Sequence, residues 1–274
     1  MESTKKDEEW LIPKSEISFE YLTHFNRNMM ILHLIQGIIM VIFGLLPFLQ
    51  YPANIYTTYP NYFAGVIPTA EILFEFSAVG ALVGVFLLLS ALAHFLITYP
   101  LNKMYVRDLK KGINKVRWFE YALSSSVMIV LIGIFFGIRD FWLLFTIFVS
   151  NALMNMGGLL MEQMSVYTRR LGEKPKWGAY YVGVVAGAVP WIVITAFFIV
   201  AGLNAAGEIP LFVYIIYIVQ LVFFNTFAIN MILQYKKIGK WKDYLYGERV
   251  YILLSLISKT FLAWLVFAGV FQPA

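Results

Sequence analysis

The residue that most needs explaining is Lys259. It lies inside YILLSLISKTFLAWLVFAGV, the last long apolar run of the chain. A lysine held at the middle of a membrane helix costs roughly 2.5–3.5 kcal/mol on insertion scales. One reading is an amine hydrogen-bonded to a neighbouring helix or sitting in a water pocket. The other is chemical: an amine withdrawn from water can condense with an aldehyde. The cation so formed would need a carboxylate beside it. Acids at membrane depth are scarce. Glu71 and Glu75 stand near the start of the second apolar run, Asp140 and Glu208 belong to loops, and Glu162 falls near the end of the fourth run. Glu120 sits a few residues into the third run, on the side from which the last run also starts. It can therefore approach Lys259. The alternative partner for Glu120 is Arg117, in the headgroup region.

Glu120, Ser124 and Met128 are spaced i, i+4, i+8 and share one helix face. A carboxylate, a hydroxyl and a soft apolar side chain suit a long apolar ligand with a charged end. His33 and His94 also lie within apolar runs, near the ends on the Glu120 side. Either could make a simple interhelical hydrogen bond. With Gln36, Glu120 and Glu162 they could instead form one hydrated polar cluster. His24 precedes the first run and reads as solvated.

These residues need helices to carry them. The chain has 274 residues, 60% hydrophobic and 14% charged, which is a membrane composition. A span needs about 20 mostly apolar residues. Seven segments qualify, at 28–49, 72–99, 117–138, 141–165, 178–202, 210–234 and 250–271. They leave no room for a soluble domain, so the expected fold is a single all-α bundle of seven transmembrane helices. All but Arg139 and Lys259 of the 21 lysines and arginines fall in the N-terminal stretch or in alternate loops on the same side. The positive-inside rule then puts the N-terminus in the cytoplasm and the C-terminus outside. The net charge of +5 is spent on that membrane face, so nucleic acid is not an expected partner. The start, MESTKKDEEW, lacks the apolar stretch of a cleavable signal peptide. The loop at 50–71, QYPANIYTTYPNYFAGVIPTAE, reads equally as a short β-hairpin or an irregular segment.

The run Arg117-Trp118-Phe119-Glu120-Tyr121-Ala122-Leu123-Ser124 looks like the third-helix counterion motif of microbial rhodopsins. The fuller likeness is to heliorhodopsins. It is carried by FNRNMMILHLIQ, RWFEYALSSSVMIVLIGIFFGI, VSNALM, AGAVPWI, FFNTFAINMILQY and IGKWKDYLYGERVYILLSLISK, and covers almost the whole chain. That resemblance implies retinal, all-trans in the dark, bound as a Schiff base to Lys259 with Glu120 as sole counterion. It implies Ser124 and Ser255 near the Schiff base. Asn151, Trp191 and Phe224 fall on family motifs as pocket residues, and Ser125 and Gln234 as members of the polar network with His33, Gln36, His94 and Glu162. Each serves equally well as ordinary bundle packing. A homodimer is implied too. Gly157-Gly158, Gly183 and Gly187 would allow close approach between copies.

Other chemistry is excluded or unsupported. There is no cysteine, so disulfides and thiolate chemistry are absent. Three histidines without cysteine do not suggest a metal site. No triad, metal-hydrolase helix or nucleotide loop is visible, so an enzyme is not expected. Ser255 stands four residues before Lys259, where pumping rhodopsins carry a second acid. Leu131 stands eleven after Glu120, where an outward proton pump would carry a donor. The expected function is a light sensor signalling to a cytoplasmic partner. A light-driven or light-gated proton transporter is the second reading, and a bundle in which Lys259 only stabilises is the third.

Overall fold

The computed structural model describes residues 10–50, 52–204 and 209–270. Lys5, Lys6, Glu208 and the end of the last expected span at 271 lie outside them. Among the described residues seven helices are long and apolar enough to cross a membrane. The elements in order are α1 Phe19–Leu45, β1 Ala53–Asn61, β2 Ile67–Phe76, α2 Val79–Thr98, α3 Asn102–Lys110, α4 Lys115–Phe135, α5 Phe141–Arg170, α6 Gly178–Asn204, α7 Leu211–Tyr235 and α8 Tyr244–Val270. Every helix but α3 is one of these seven. Neighbours pack α1 on α2, α2 on α4, α4 on α5, α5 on α6 and α7 on α8, with α8 closing onto α1 and α2. The outward faces are apolar: Leu32, Ile35, Leu92, Leu153, Val185 and Ile218 are exposed, as contact with lipid requires.

Several boundaries differ from the sequence reading. Helix α1 begins at Phe19 rather than 28, capped by Ser18, whose Oγ accepts from the Tyr21 amide at 3.0 Å. Apolarity marks where a helix crosses lipid, and α1 continues past that into polar sequence. His24 is accordingly helical, within 3.7 Å of Glu20 one turn away. Helix α8 begins at Tyr244, not 250, for the same reason. At 72–76 the expected helix is a strand. The apolar run hid its end, because ILFEF pairs with Ala53–Tyr56 before α2 starts at Val79.

The loop at 50–71 is therefore a β-hairpin. Its strands are antiparallel from Ala53↔Phe76 to Asn61↔Ile67, with a bulge at Ile55/Tyr56. Tyr56 N donates to Arg139 O at 2.9 Å and fixes the hairpin over the α4–α5 turn. At the other end, α3 is a short amphipathic helix between α2 and α4. It buries Tyr105, Asp108 and Leu109 against Ile12 and Leu22. The bundle thus has a hairpin end and a basic end.

Two packing details shape the interior. Pro190 lies inside α6 and cannot donate to Ala186 O, four residues back. Ser150 of α5 donates to that carbonyl at 2.8 Å instead. Gly157 of α5 and Gly183 of α6 meet backbone to backbone: a Cβ on Gly157 would stand 2.9 Å from Gly183 Cα. Gly158 lies under the Trp118 ring, and Gly187 under Met154. The glycines expected to open a contact between copies are used within the chain, so they give no support to a dimer.

Candidate functional site

Lys259 projects from α8 into the bundle and is 2% exposed. Its Nζ donates to Glu120 Oε1 at 2.6 Å, to Ser90 Oγ at 2.5 Å and to Ser255 Oγ at 3.0 Å. Ser90 in turn donates to Glu120 Oε1 at 2.6 Å. The Glu120 side chain is only 7% exposed. An ion pair this deep survives because other hydrogen bonds complete its coordination. Ser90 was not singled out in the sequence, since a serine within LLLSALAH is indistinguishable from a helix-packing hydroxyl. Ser124 lies on the Glu120 face and is fully buried.

Arg117 does not compete for Glu120. Its guanidinium is buried between two other carboxylates, donating to Glu162 Oε1 at 2.5 Å and to Glu248 Oε1. Glu162 Oε2 also accepts from Asn114 N at 2.9 Å and Trp118 Nε1 at 2.7 Å, and Glu248 Oε2 accepts from Asn114 Nδ2 at 2.9 Å. The Tyr251 ring lies 4.0 Å from the Arg117 carbon. Glu248 lies two residues before the span expected at 250–271, outside the apolar run that marks that helix in the sequence. Its signal was the spacing Tyr244, Glu248, Tyr251, Ser255, Lys259, which puts all five on one helical stripe.

The single polar cluster expected at this end is in fact several. His33 stacks on His94 with ring centres 5.5 Å apart, and His94 Nδ1 is 2.8 Å from Asn26 Oδ1. Asn26 Nδ2 donates to Leu22 O at 2.7 Å and to Tyr105 OH at 3.2 Å. A cavity of about 30 Å³, lined by Asn26, His94, Asn114, Arg117, Glu120 and Ser255 among others, joins this group to Glu120 and the Arg117 network. Glu162 belongs to that network and not to the histidines. Gln36 is half-buried, and its Nε2 donates to Leu32 O at 3.3 Å. Gln234 sits at the extreme basic end, donating to Tyr244 O at 3.0 Å. Ser125 is elsewhere altogether. It accepts from Asn151 at 2.7 Å and Asn155 at 3.2 Å, on the far side of Lys259. Helical spacing gives a side chain's face but not which neighbour it meets, so one cluster was inferred where there are three.

On that far side Lys259 opens onto a cavity. Its mouth is lined by Tyr121, Ser125, Met128, Met154, Asn155, Phe224, Phe227, Ser255 and Ser258. Tyr121, Met154, Asn155, Phe224 and Phe227 also line a larger space of about 590 Å³ between α6 and α7, with Trp118, Trp191 and Tyr217. That volume is within the ~300–1,000 Å³ usual for ligand sites. Trp191 meets Phe224 edge-on at 5.3 Å, and Thr195 Oγ1 is 2.7 Å from Tyr217 OH. Met128, in that mouth, is buried, as is Asn151 behind it, and Asn151 also donates to Ser126 at 3.0 Å. An amine beside a large, aromatic-walled cavity fits an apolar aldehyde of retinal's shape and chemistry.

A family model described as Heliorhodopsin matches residues 22–271 of the chain. No curated protein matches it.

Proposed function

The chain belongs to the heliorhodopsin family, whose chromophore is retinal, and from that membership we propose that it is a light sensor with retinal bound at Lys259 and Glu120 as its only counterion. The carrying observation is Lys259 Nζ, 2.6 Å from Glu120 and beside the aromatic cavity. When bound, retinal supplies an aldehyde carbon for a Schiff base and a polyene, all-trans in the dark, that light isomerises. The protein's residues do the rest. Glu120 and Ser90 hold the proton on the Lys259 nitrogen. Ser255, one turn away on α8, keeps that nitrogen directed at them. Trp191, Phe224 and Tyr217 confine an apolar ligand, and the Ser125–Asn151–Asn155 group fixes the polar side of the wall.

Glu162 and Glu248 are both engaged by Arg117, which leaves Glu120 as the partner for Lys259. Beyond Lys259 toward the hairpin end, packing is apolar: Met40, Val83, Phe86, Ile129, Leu131, Leu262 and Phe267 form one core cluster. A proton crossing the bundle needs polar groups or water along its path, and this cluster supports signalling over transport. The basic end faces the cytoplasm on this reading, and the hydrogen-bonded series His94–Asn26–Tyr105 runs from beside Glu120 to α3. We take α3 as the output element toward a cytoplasmic partner. We also keep a homodimer as the assembly, supported by the exposed Tyr62, Phe63 and Ile67 of the hairpin. The function test is a spectrum with and without retinal, followed by voltage clamp. A visible band that hydroxylamine bleaches, with no photocurrent, is expected. Absence of the band would remove the light-based reading, and a sustained photocurrent would remove the sensor.

A further inference from the structure

A second large cavity, of about 450 Å³, opens at the basic end and shares no lining residue with the aromatic one. It is walled by the ends of α5 and α7, the start of α8 and the chain at Trp10–Pro13. Its charged lining is Arg169, Lys237 and Lys242 against Glu173, and Glu173 already has Lys176 at 3.8 Å. Arg169 is held in place, donating through Nη1 to Lys111 O at 2.9 Å and Gly112 O at 3.1 Å, over the Tyr235 and Tyr244 rings. Gln234, 5% exposed, also lines the cavity, and its Oε1 has no hydrogen-bond partner among the described residues.

Lys237 carries the decisive detail. Helix α7 ends in a Schellman motif, with Ile238 N donating to Leu233 O at 3.0 Å and Lys237 N to Gln234 O at 3.3 Å. The residue after the cap must then take a left-handed backbone, the position glycine favours. Helices α3, α4 and α5 follow the rule with Gly112, Gly137 and Gly172, at φ 72°, 88° and 68°. Helix α7 has Lys237 there, at φ 54°. A strained lysine at a position that glycine would fill without strain, facing a cavity, points to a use for its charge.

We propose that this cavity binds a small phosphorylated anion through Lys237, Lys242 and Arg169. A single carboxylate would leave the cations largely uncompensated. A phosphate ester brings close to two negative charges and several acceptor oxygens. A protonated oxygen or neighbouring hydroxyl on it can donate to Gln234 Oε1. The same chemistry could come from a soluble metabolite or from a lipid headgroup.

The test uses the full chain in nanodiscs, with Lys237→Gly as the diagnostic variant, since glycine relieves the backbone strain while removing the charge. Pyrophosphate is titrated calorimetrically into the millimolar range in zwitterionic discs. A parallel set of discs carries a phosphorylated inositol lipid, whose retention on the protein is measured after repurification. Lys237→Gly should weaken binding about tenfold or more, the loss of one charged hydrogen bond, without lowering the melting temperature. Pyrophosphate binding with that loss assigns a soluble ligand. Retention of the lipid alone, again lost in Lys237→Gly, assigns a headgroup. No binding of either probe, or binding that Lys237→Gly leaves unchanged, overturns the proposal.

Discussion

Replacing Arg117 by glutamine should destabilise the protein far more than replacing Glu248 by glutamine, although both changes break the same ion pair. Glu162 and Glu248 are both fully buried, and Arg117 lies between them. Without the guanidinium, two carboxylates face each other away from water. Removing one partner of a buried pair costs about 3–5 kcal/mol. At roughly 2–4 °C per kcal/mol for chains somewhat shorter than this one, the melting temperature should fall by about 6–20 °C. Glu248→Gln instead removes one of two like charges and keeps an amide oxygen to accept from Arg117. It loses the hydrogen bond from Asn114 Nδ2, worth about 1 kcal/mol, so a shift of only a few degrees is expected. Heat-induced loss of the visible band in nanodiscs measures both. Equal shifts in the two variants, or an Arg117→Gln protein melting with the wild type, would refute the buried network as described.

Three further outcomes are expected. Ser150→Ala should cost about 0.6–1.7 kcal/mol in the wild type and almost nothing beside Pro190→Ala, whose restored amide can take over the Ala186 carbonyl; thermal melts of the double-mutant cycle test this. Burial raises the Tyr105 phenol above its ordinary value, so the folded state holds that proton where the unfolded chain, at about pH 10, has begun to release it. Stability should therefore fall as pH rises above about 10, and Tyr105→Phe should flatten that fall in alkaline melts. A tag at the N-terminus should be shielded in intact cells and one after Ala274 accessible, and surface labelling of the N-terminal tag alone would contradict the orientation.

The Lys259–Glu120 pair could be read from the sequence because charge in lipid is costly: a chain with few intramembrane ionisable groups narrows its own pairings. The seven spans were legible for the same reason, since apolar length reports membrane crossing. What lipid does not police was harder to read. Helices α1 and α8 run on into polar sequence, which hid Glu248 and put His24, exposed as expected, inside α1 rather than before it. The strand at 72–76 shares its apolar composition with the helix that follows. Ser90 and Asn26 are polar residues of a kind that most membrane helices carry, and only the packing of α2 against α4 and α1 gives them partners. The split of the polar cluster depends on helix rotation. A rotation that turns Ser125 toward Asn151 while Glu162 faces Arg117 leaves no mark in spacing alone.

The most direct test of the retinal site is the absorption spectrum of Glu120→Gln, reconstituted with retinal and titrated with pH. With the proposed counterion removed, the wild-type visible band should disappear near neutral pH. An ultraviolet band of the unprotonated linkage should replace it, or a red-shifted band that added anion restores toward the original, because the positive charge then spreads along the polyene. Lys259→Ala should give no covalent pigment, and Ser255→Ala should keep the colour with a modest shift. A Glu120→Gln protein with the wild-type band and the wild-type pH response would mean that another group holds the proton on Lys259, and would contradict the pairing of α4 with α8 on which the functional reading rests.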